Sequence, residues 1–174
     1  MFTIDPRLNS KSRIAIDRPY KTDYQFNTIG TSLAGGLAIG SDNGEIRLYK
    51  EVGKDAKTLL PGLGDKIISI EVSRDGEWVL ATTSTYLLVI PTKCANGKTG
   101  FEFRMGKEKP TPIRLALKTS DIAKFGIKKL AFRPAKFNNF TVGGKEEISI
   151  VSSTDDILVT WNFKRIKRGL RPDY

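Results

Sequence analysis

The sequence predicts an all-β fold, with about three four-stranded antiparallel sheets preceded by the last strands of another. Three observations predict it. Short apolar or alternating segments recur along the chain between clusters of Gly, Pro, Asn and Asp, and no helix-period run matches them in quality. The densest stretch, Val72 to Ile90 (VSRDGEWVLATTSTYLLVI), holds a strand end, a turn at Asp75-Gly76, a strand, a second turn at Thr83 to Thr85 and another strand. This pattern also repeats. Gly40-Ser41, Ala81-Thr82 and Ser152-Ser153 each end a strand of small residues, precede a polar turn and lead, eight positions after the second member, to Tyr49, Ile90 and Trp161. The spacing is 41 residues from Tyr49 to Ile90 and 71 from Ile90 to Trp161. The first matches the roughly 40–45-residue period of a WD-type propeller blade, and the second is one such period plus an insertion of about 30 residues.

Taken in order, Met1 to Ile4 and Arg13 to Ile16 are two short strands around a polar turn that starts at Asp5-Pro6-Arg7, and Asp17-Arg18-Pro19 stops the second. Asp23 to Ile29 alternates weakly, with Tyr24, Phe26 and Thr28 on one face. Leu37 to Ser41 and Glu45 to Tyr49 make a hairpin around Asp42-Asn43-Gly44, and Ala56 to Leu60 is an edge strand closed by Pro61 to Asp65. Lys66 to Val72 puts Ile68, Ile70 and Val72 on one side and Ile67, Ser69 and Glu71 on the other. Asp75-Gly76 then supplies the positive φ angles of a two-residue hairpin loop. Between Pro91 and Phe125 the pattern is interrupted by Gly97, Gly100, Gly106, Pro110 and Pro112. That insertion is expected to hold strands at Phe101 to Phe103 and Ile113 to Leu117, and one or two helical turns from Thr119 to Phe125 behind a Thr119 or Ser120 cap. Gly126 to Phe132, Ile148 to Val151 and Ile157 to Trp161 are the last strands, and a basic stretch without a strand pattern follows.

The units are then 1–22, the last strands of a preceding blade; 23–65, a blade; 66–125, a blade with an insertion; 126–163, a blade; and 164–174, a basic C-terminal tail. A four-stranded sheet with two apolar faces cannot bury both alone, so such sheets stack radially. An antiparallel sandwich or barrel is the alternative for the same strands. The Trp-Asp pair that usually closes the third strand of a WD-type unit is replaced by Tyr49-Lys50, Ile90-Pro91 and Trp161-Asn162. Three blades do not close a ring, for which at least about four are needed. The expectation is therefore a WD40-like β-propeller fragment, the C-terminal part of a larger ring.

Composition narrows the function classes. The chain has 174 residues, 39% of them hydrophobic, enough to bury a core. Its formal charge of +10 suits an acidic partner, nucleic acid or an anionic membrane face. The single cysteine, Cys94, has no internal disulfide partner, which favours a reducing compartment. Histidine, the commonest general base and metal ligand, is absent. The N-terminal MFTIDPRLNSKSR has no apolar run of signal-peptide length, and the longest apolar runs are strand-sized, so a cytoplasmic protein is expected.

Motifs for chemistry are weak. Gly97-Lys98-Thr99 has Thr92 where a phosphate-binding loop needs its first glycine, and a lysine-bearing hairpin loop is the plainer reading. The neighbours Asp155-Asp156 and Glu146-Glu147 would point to opposite faces of a strand and are read as turn and edge residues. Asn139-Phe140-Thr141 fits a glycosylation acceptor that stays unmodified without export. Trp78, Phe132 and Trp161 are expected to pack between blades. No catalytic, cofactor-binding or metal-binding residue is assigned. The most localised charge is the tail, where Lys164, Arg165, Lys167, Arg168 and Arg171 could contact an acidic partner, anionic lipid or nucleic acid; the alternative is a solvated terminal segment.

Four stretches together carry a resemblance: Phe2 to Leu8 (FTIDPRL), Ser41 to Leu48 (SDNGEIRL), Asp75 to Thr82 (DGEWVLAT) with Thr85 to Leu88, and Thr160 to Lys164 (TWNFK). Their order and spacing resemble the C-terminal propeller region of the vacuolar import and degradation protein 27 family, over nearly the whole chain. The resemblance implies a eukaryotic, cytoplasmic, non-enzymatic protein linked to vesicle and protein-degradation traffic, and the expected role of the propeller fragment is that of a protein-interaction scaffold. Its implied partners are unidentified proteins and the remaining blades of a full propeller, supplied by the same longer protein or by self-association. A basic surface module for anionic lipid or nucleic acid is the alternative.

Overall fold

The computed structural model describes the backbone of residues 2–4 and 14–17 and, with side chains, residues 25–107, 109–138 and 148–174. β1 (Phe2–Ile4) and β2 (Ile14–Asp17) pair antiparallel, as the two N-terminal apolar runs predict. β3 (Phe26–Thr31), β4 (Leu37–Ser41), β5 (Ile46–Tyr49) and β6 (Thr58–Leu60) form a four-stranded antiparallel sheet in chain order. β7 (Ser69–Val72), β8 (Trp78–Thr82), β9 (Leu87–Pro91) and β10 (Ile113–Leu115) form another. After α1 (Thr119–Lys124), β11 (Lys136–Asn138), β12 (Ser149–Thr154) and β13 (Ile157–Asn162) make a sheet with three strands among the described residues, one fewer than expected. α2 (Phe163–Lys167) follows directly.

The sheets stack face to face, and the side chains of the middle one show it most clearly. Along β8 and β9, Val79, Ala81, Leu88 and Ile90 point to one side and pack with Ala38, Ile46, Leu48 and Leu60 of the β3–β6 sheet. Leu80, Leu87 and Val89 point to the other side and pack with Ile150, Val159 and Trp161 of the β11–β13 sheet. Alternation sends neighbours to opposite faces, so a strand buried on both reads as a continuous apolar run. Tyr49, Ile90 and Trp161, equivalent in the sequence repeat, are all buried on the face turned toward the N-terminal side of their own sheet. The first strands of successive sheets are tied together directly. Thr28 Oγ1 accepts the Ile70 amide at 3.2 Å, and a Glu71 carboxylate oxygen accepts the Phe137 amide at 3.0 Å.

The turns depart from expectation in detail. The Asp75-Gly76 turn is not a two-residue loop. Ladder pairing ends at Val72 and Val79, the Ser73 amide still donates to the Trp78 carbonyl, and Gly76 alone in the turn has positive φ, at 72°. Asp75 works instead through its side chain, accepting from Ser73 Oγ at 2.5 Å and from the Glu77 amide at 2.9 Å. The two-residue hairpin lies at Asp155-Asp156, between the paired Thr154 and Ile157, with Asp155 at φ 53°. Gly44 needs its glycine twice over. Its φ is 83°, and a Cβ there would sit 2.9 Å from the Asp65 carbonyl oxygen and 3.0 Å from the Gly64 nitrogen.

Several strands moved. Gly126 to Phe132 is not a strand. Phe132 is buried beside Trp161, with ring centroids 5.8 Å apart, and the Arg133 amide bonds the Ser153 carbonyl, but Pro134 has no amide and regular pairing starts only at Lys136. Phe101 to Phe103 is a turn, with the amides of Glu102 and Phe103 both bonding the Thr99 carbonyl at 3.0 Å. Ile68 does not join Ile70 and Val72 inside. β7 starts at Ser69, so Ile67 is buried and Ile68 is exposed. α1 starts after Lys118 with no side-chain cap, so neither Thr119 nor Ser120 plays that part. The segments 139–141 and Glu146-Glu147 lie outside the described residues.

Candidate functional site

The three sheets end differently at their outer edges. β6 and β10 close the first two with three residues each. β13 closes the third with six residues, and among the described residues no strand pairs with its outer side. A short edge offers few free amides and carbonyls, whereas a long one is a template for another strand. Along β13, Val159 and Trp161 are buried against β12 and the middle sheet, while Leu158 is 71% exposed.

A groove follows this edge. Its first part, about 320 Å³, lies between β13 and the segment around α1, with Leu117, Phe125, Ile127, Ile157 and Leu158 in its wall. Phe125 is 58% exposed there. The second part, about 660 Å³, continues past Thr160 and Asn162 to Lys164 and Arg165. Thr160 and Tyr174 line both parts. Apolar surface at one end and two cations at the other suit an extended chain better than a compact ligand.

Tyr174 holds the middle of the groove. Its hydroxyl donates to Asp121 Oδ2 at 2.6 Å and accepts the Lys118 amide at 2.7 Å, and its ring meets Trp161 edge-on at 6.0 Å between centroids. Burial, then the hydrogen bond to Asp121, pushes its pKa above the usual tyrosine value. The Asn162 amide bonds the Asp173 carbonyl at 3.3 Å, so the C-terminal residues return along the end of β13.

The predicted contact residues are only partly brought together. They do not lie on a solvated tail: Asn162 Oδ1 caps α2 by accepting the Arg165 amide at 3.1 Å, and Phe163 and Ile166 are buried beneath it. This turns Lys164, Arg165 and Arg168 outward, while Lys167 is half-buried with Nζ 4.9 Å from the Phe163 ring centre. Lys164 and Arg165 line the groove; Lys167, Arg168 and Arg171 are not among its lining residues. Leu158, Phe125 and Tyr174 were not singled out from the sequence. The signal for Leu158 was an apolar residue out of phase with Val159 and Trp161 on a last strand. Trp78 and Phe163, 5.5 Å apart edge-to-face, pack between sheets, as do Phe132 and Trp161. Gly97-Lys98-Thr99 closes a hairpin-like turn in which the Cys94 amide bonds the Lys98 carbonyl at 2.8 Å. Burial raises the pKa of the Cys94 thiol.

Four-stranded antiparallel sheets stacked face to face, repeating at blade spacing and ending in an open strand edge, define a WD40-like propeller module. Comparison with known proteins makes this specific. The chain belongs to the family described as the VID27 C-terminal WD40-like domain, whose family model matches residues 1–174. It is similar to vacuolar import and degradation protein 27 of Schizosaccharomyces pombe, 39% identical over 183 residues, covering 100% of this chain and 23% of that protein. It is also similar to the protein of that name from Saccharomyces cerevisiae, 38% identical over 178 residues, covering 95% of this chain and 22% of the relative. The chain thus spans under a quarter of the length of these relatives, and the resemblance carried by its turn and strand motifs is confirmed at family level.

Proposed function

We propose that the chain is a non-enzymatic, cytoplasmic protein-interaction scaffold serving import to, or degradation in, the vacuole, and that the outer edge of β13 receives an extended strand from the remaining blades of a longer protein. The process is suggested by the names of its relatives. The observation that carries the mechanism is the contrast between two four-stranded sheets with short outer strands and a third whose last strand is long and, among the described residues, open. An added strand would pair with the part of the β13 edge before Asn162, whose amide already bonds Asp173, and cover Leu158 and Phe125, which otherwise expose apolar surface to water.

Sedimentation velocity on the chain tests this. The chain by itself should self-associate, and Leu158→Lys should make it monomeric at concentrations where the parent chain is not, because a charge on an edge blocks pairing. A monomeric parent chain that melts sharply would refute the reading.

A second reading rests on α2, whose buried Phe163 and Ile166 orient its exposed cations outward. Lys164, Arg165, Lys167, Arg168 and Arg171 would then hold an acidic partner, anionic lipid or nucleic acid. Such binding must fall steeply as salt rises and vanish when all five are replaced by alanine. Affinity indifferent to both removes it.

A further inference from the structure

A second concave surface lies away from the β13 edge. The described part of the connection from β9 to β10, residues 92–107 and 109–112, folds back over the outer strand of the preceding sheet. Phe101 is buried in the core shared by the first two full sheets. Thr58 Oγ1 on β6 donates to the Phe103 carbonyl at 3.2 Å and accepts the Met105 amide at 3.3 Å. These bonds fix the connection against β6 and bring Arg104 and Lys109 alongside Arg47 and Lys57, around a recess of about 470 Å³.

Four cations thus converge on one recess from two sheets. Arg47 is 13% exposed, with Nη2 bound to Glu45 Oε2 at 2.9 Å. Lys57, Arg104 and Lys109 are exposed, and none is within ion-pair distance of a carboxylate among the described residues. Arg47 is balanced by Glu45, whereas the buried Phe101 and the Thr58 bonds hold the backbone that carries Arg104 and Lys109 beside that of Lys57, so three positive charges without a carboxylate partner among the described residues share one recess. A bound anion would offset this charge. The chemistry selects the anion: a guanidinium fork matches phosphate oxygens in a bidentate manner, and ammonium groups add point charge around it. The recess is within the size range of small-ligand sites, and three cations without a carboxylate partner among the described residues, with Arg47 beside them, exceed what one phosphate needs.

We propose that this recess binds a compact ligand carrying several phosphates, of the inositol-polyphosphate kind, either free or as a lipid headgroup. The site is independent of the β13 edge and shares no residue with it.

The test is calorimetric titration of the full chain with inositol hexakisphosphate at about 0.15 M ionic strength, where unfocused surface attraction is largely screened. One-to-one binding is expected. Lys57→Ala, Arg104→Ala and Lys109→Ala should each weaken it about tenfold, the scale of losing one charge-assisted hydrogen bond. Arg104→Lys, which keeps the charge and loses the fork, should fall in between, and Lys164→Ala with Arg165→Ala should leave the affinity unchanged. The three alanine variants alter exposed side chains, and unchanged melting shows that they fold. Flotation with vesicles containing phosphatidylinositol bisphosphate, against phosphatidylcholine alone, separates the sources: binding to vesicles indicates the lipid headgroup, and binding to the soluble phosphate alone indicates a free ligand. Binding to neither, or binding reduced equally by any lysine or arginine substitution, overturns the proposal.

Discussion

The β7–β10 sheet and the β11–β13 sheet are built from similar strands but stand in opposite situations. The first is covered on both faces, by Leu48 and Leu60 on one side and by Ile150 and Trp161 on the other, and its outer strand β10 has three residues. The second is as well packed on its inward face, where Val159, Trp161, Phe163 and Ile166 are buried, yet it ends in a six-residue strand that is open among the described residues, beside an apolar groove. Under the proposed function, stability and recognition are separated within one sheet: the face holds the fold, and the edge would take the added strand.

The largest effects should show that the two inward faces are equivalent. Trp161→Ala should destabilise the chain by about 3–5 kcal/mol and Leu88→Ala by about 2–5 kcal/mol in urea unfolding, since both leave cavities among buried side chains. If Trp161→Ala were nearly neutral, the third sheet would be loosely attached and the comparison would fail. Asn162→Ala, removing the α2 cap, should cost about 1 kcal/mol and loosen Phe163 and Ile166. Circular dichroism and thermal melting read this, and an unchanged melt would mean that packing alone holds α2.

A smaller effect is expected at Tyr174. Its folded pKa is raised, so its contribution is fully present below the ordinary tyrosine value of about 10 and is lost as pH rises through the folded value. Tyr174→Phe should cost about 0.5 kcal/mol near neutral pH, at the low end for a hydrogen bond because the residue is partly exposed. In melts taken across pH 9–11, the variant should lose less stability than the parent. Equal slopes would remove Tyr174 from the bridge between α1 and β13. Smallest of all, Leu158→Ala should change monomer stability by less than about 0.5 kcal/mol. Hydrogen exchange should still find the β13 amides faster than those of β8 and β9, and equal protection would mean that the edge is already covered.

Much of the fold was legible because it depends on near neighbours in sequence. The small-residue strand ends, the Asp42-Asn43-Gly44 and Asp75-Gly76 turns and the apolar runs of β8 and β9 identify strands and repeat, and Tyr49, Ile90 and Trp161 mark equivalent places. Two segments take a form that depends on their partners. Gly126 to Phe132 has the length and the apolar residues Ile127, Leu130 and Phe132 of a strand, but Pro134 has no amide and pairing starts only at Lys136. The basic tail lacks a strand pattern, but Asn162 with Phe163 and Ile166 three apart is a short capped helix that tertiary burial completes.

The candidate site was the less legible part. The sequence located the cations Lys164 and Arg165, but not the groove they share with Leu158, Phe125 and Tyr174, because its walls come from α1, β13 and the C-terminal residues. Nor did it show that Arg104 and Lys109 meet Arg47 and Lys57. By itself the sequence determined strands, turns and their repetition, all set by side-chain alternation and local hydrogen bonding over a few residues. Only the tertiary structure decided which strand keeps a free edge and which distant charges share a recess, because both depend on how whole sheets pair and stack rather than on any one segment.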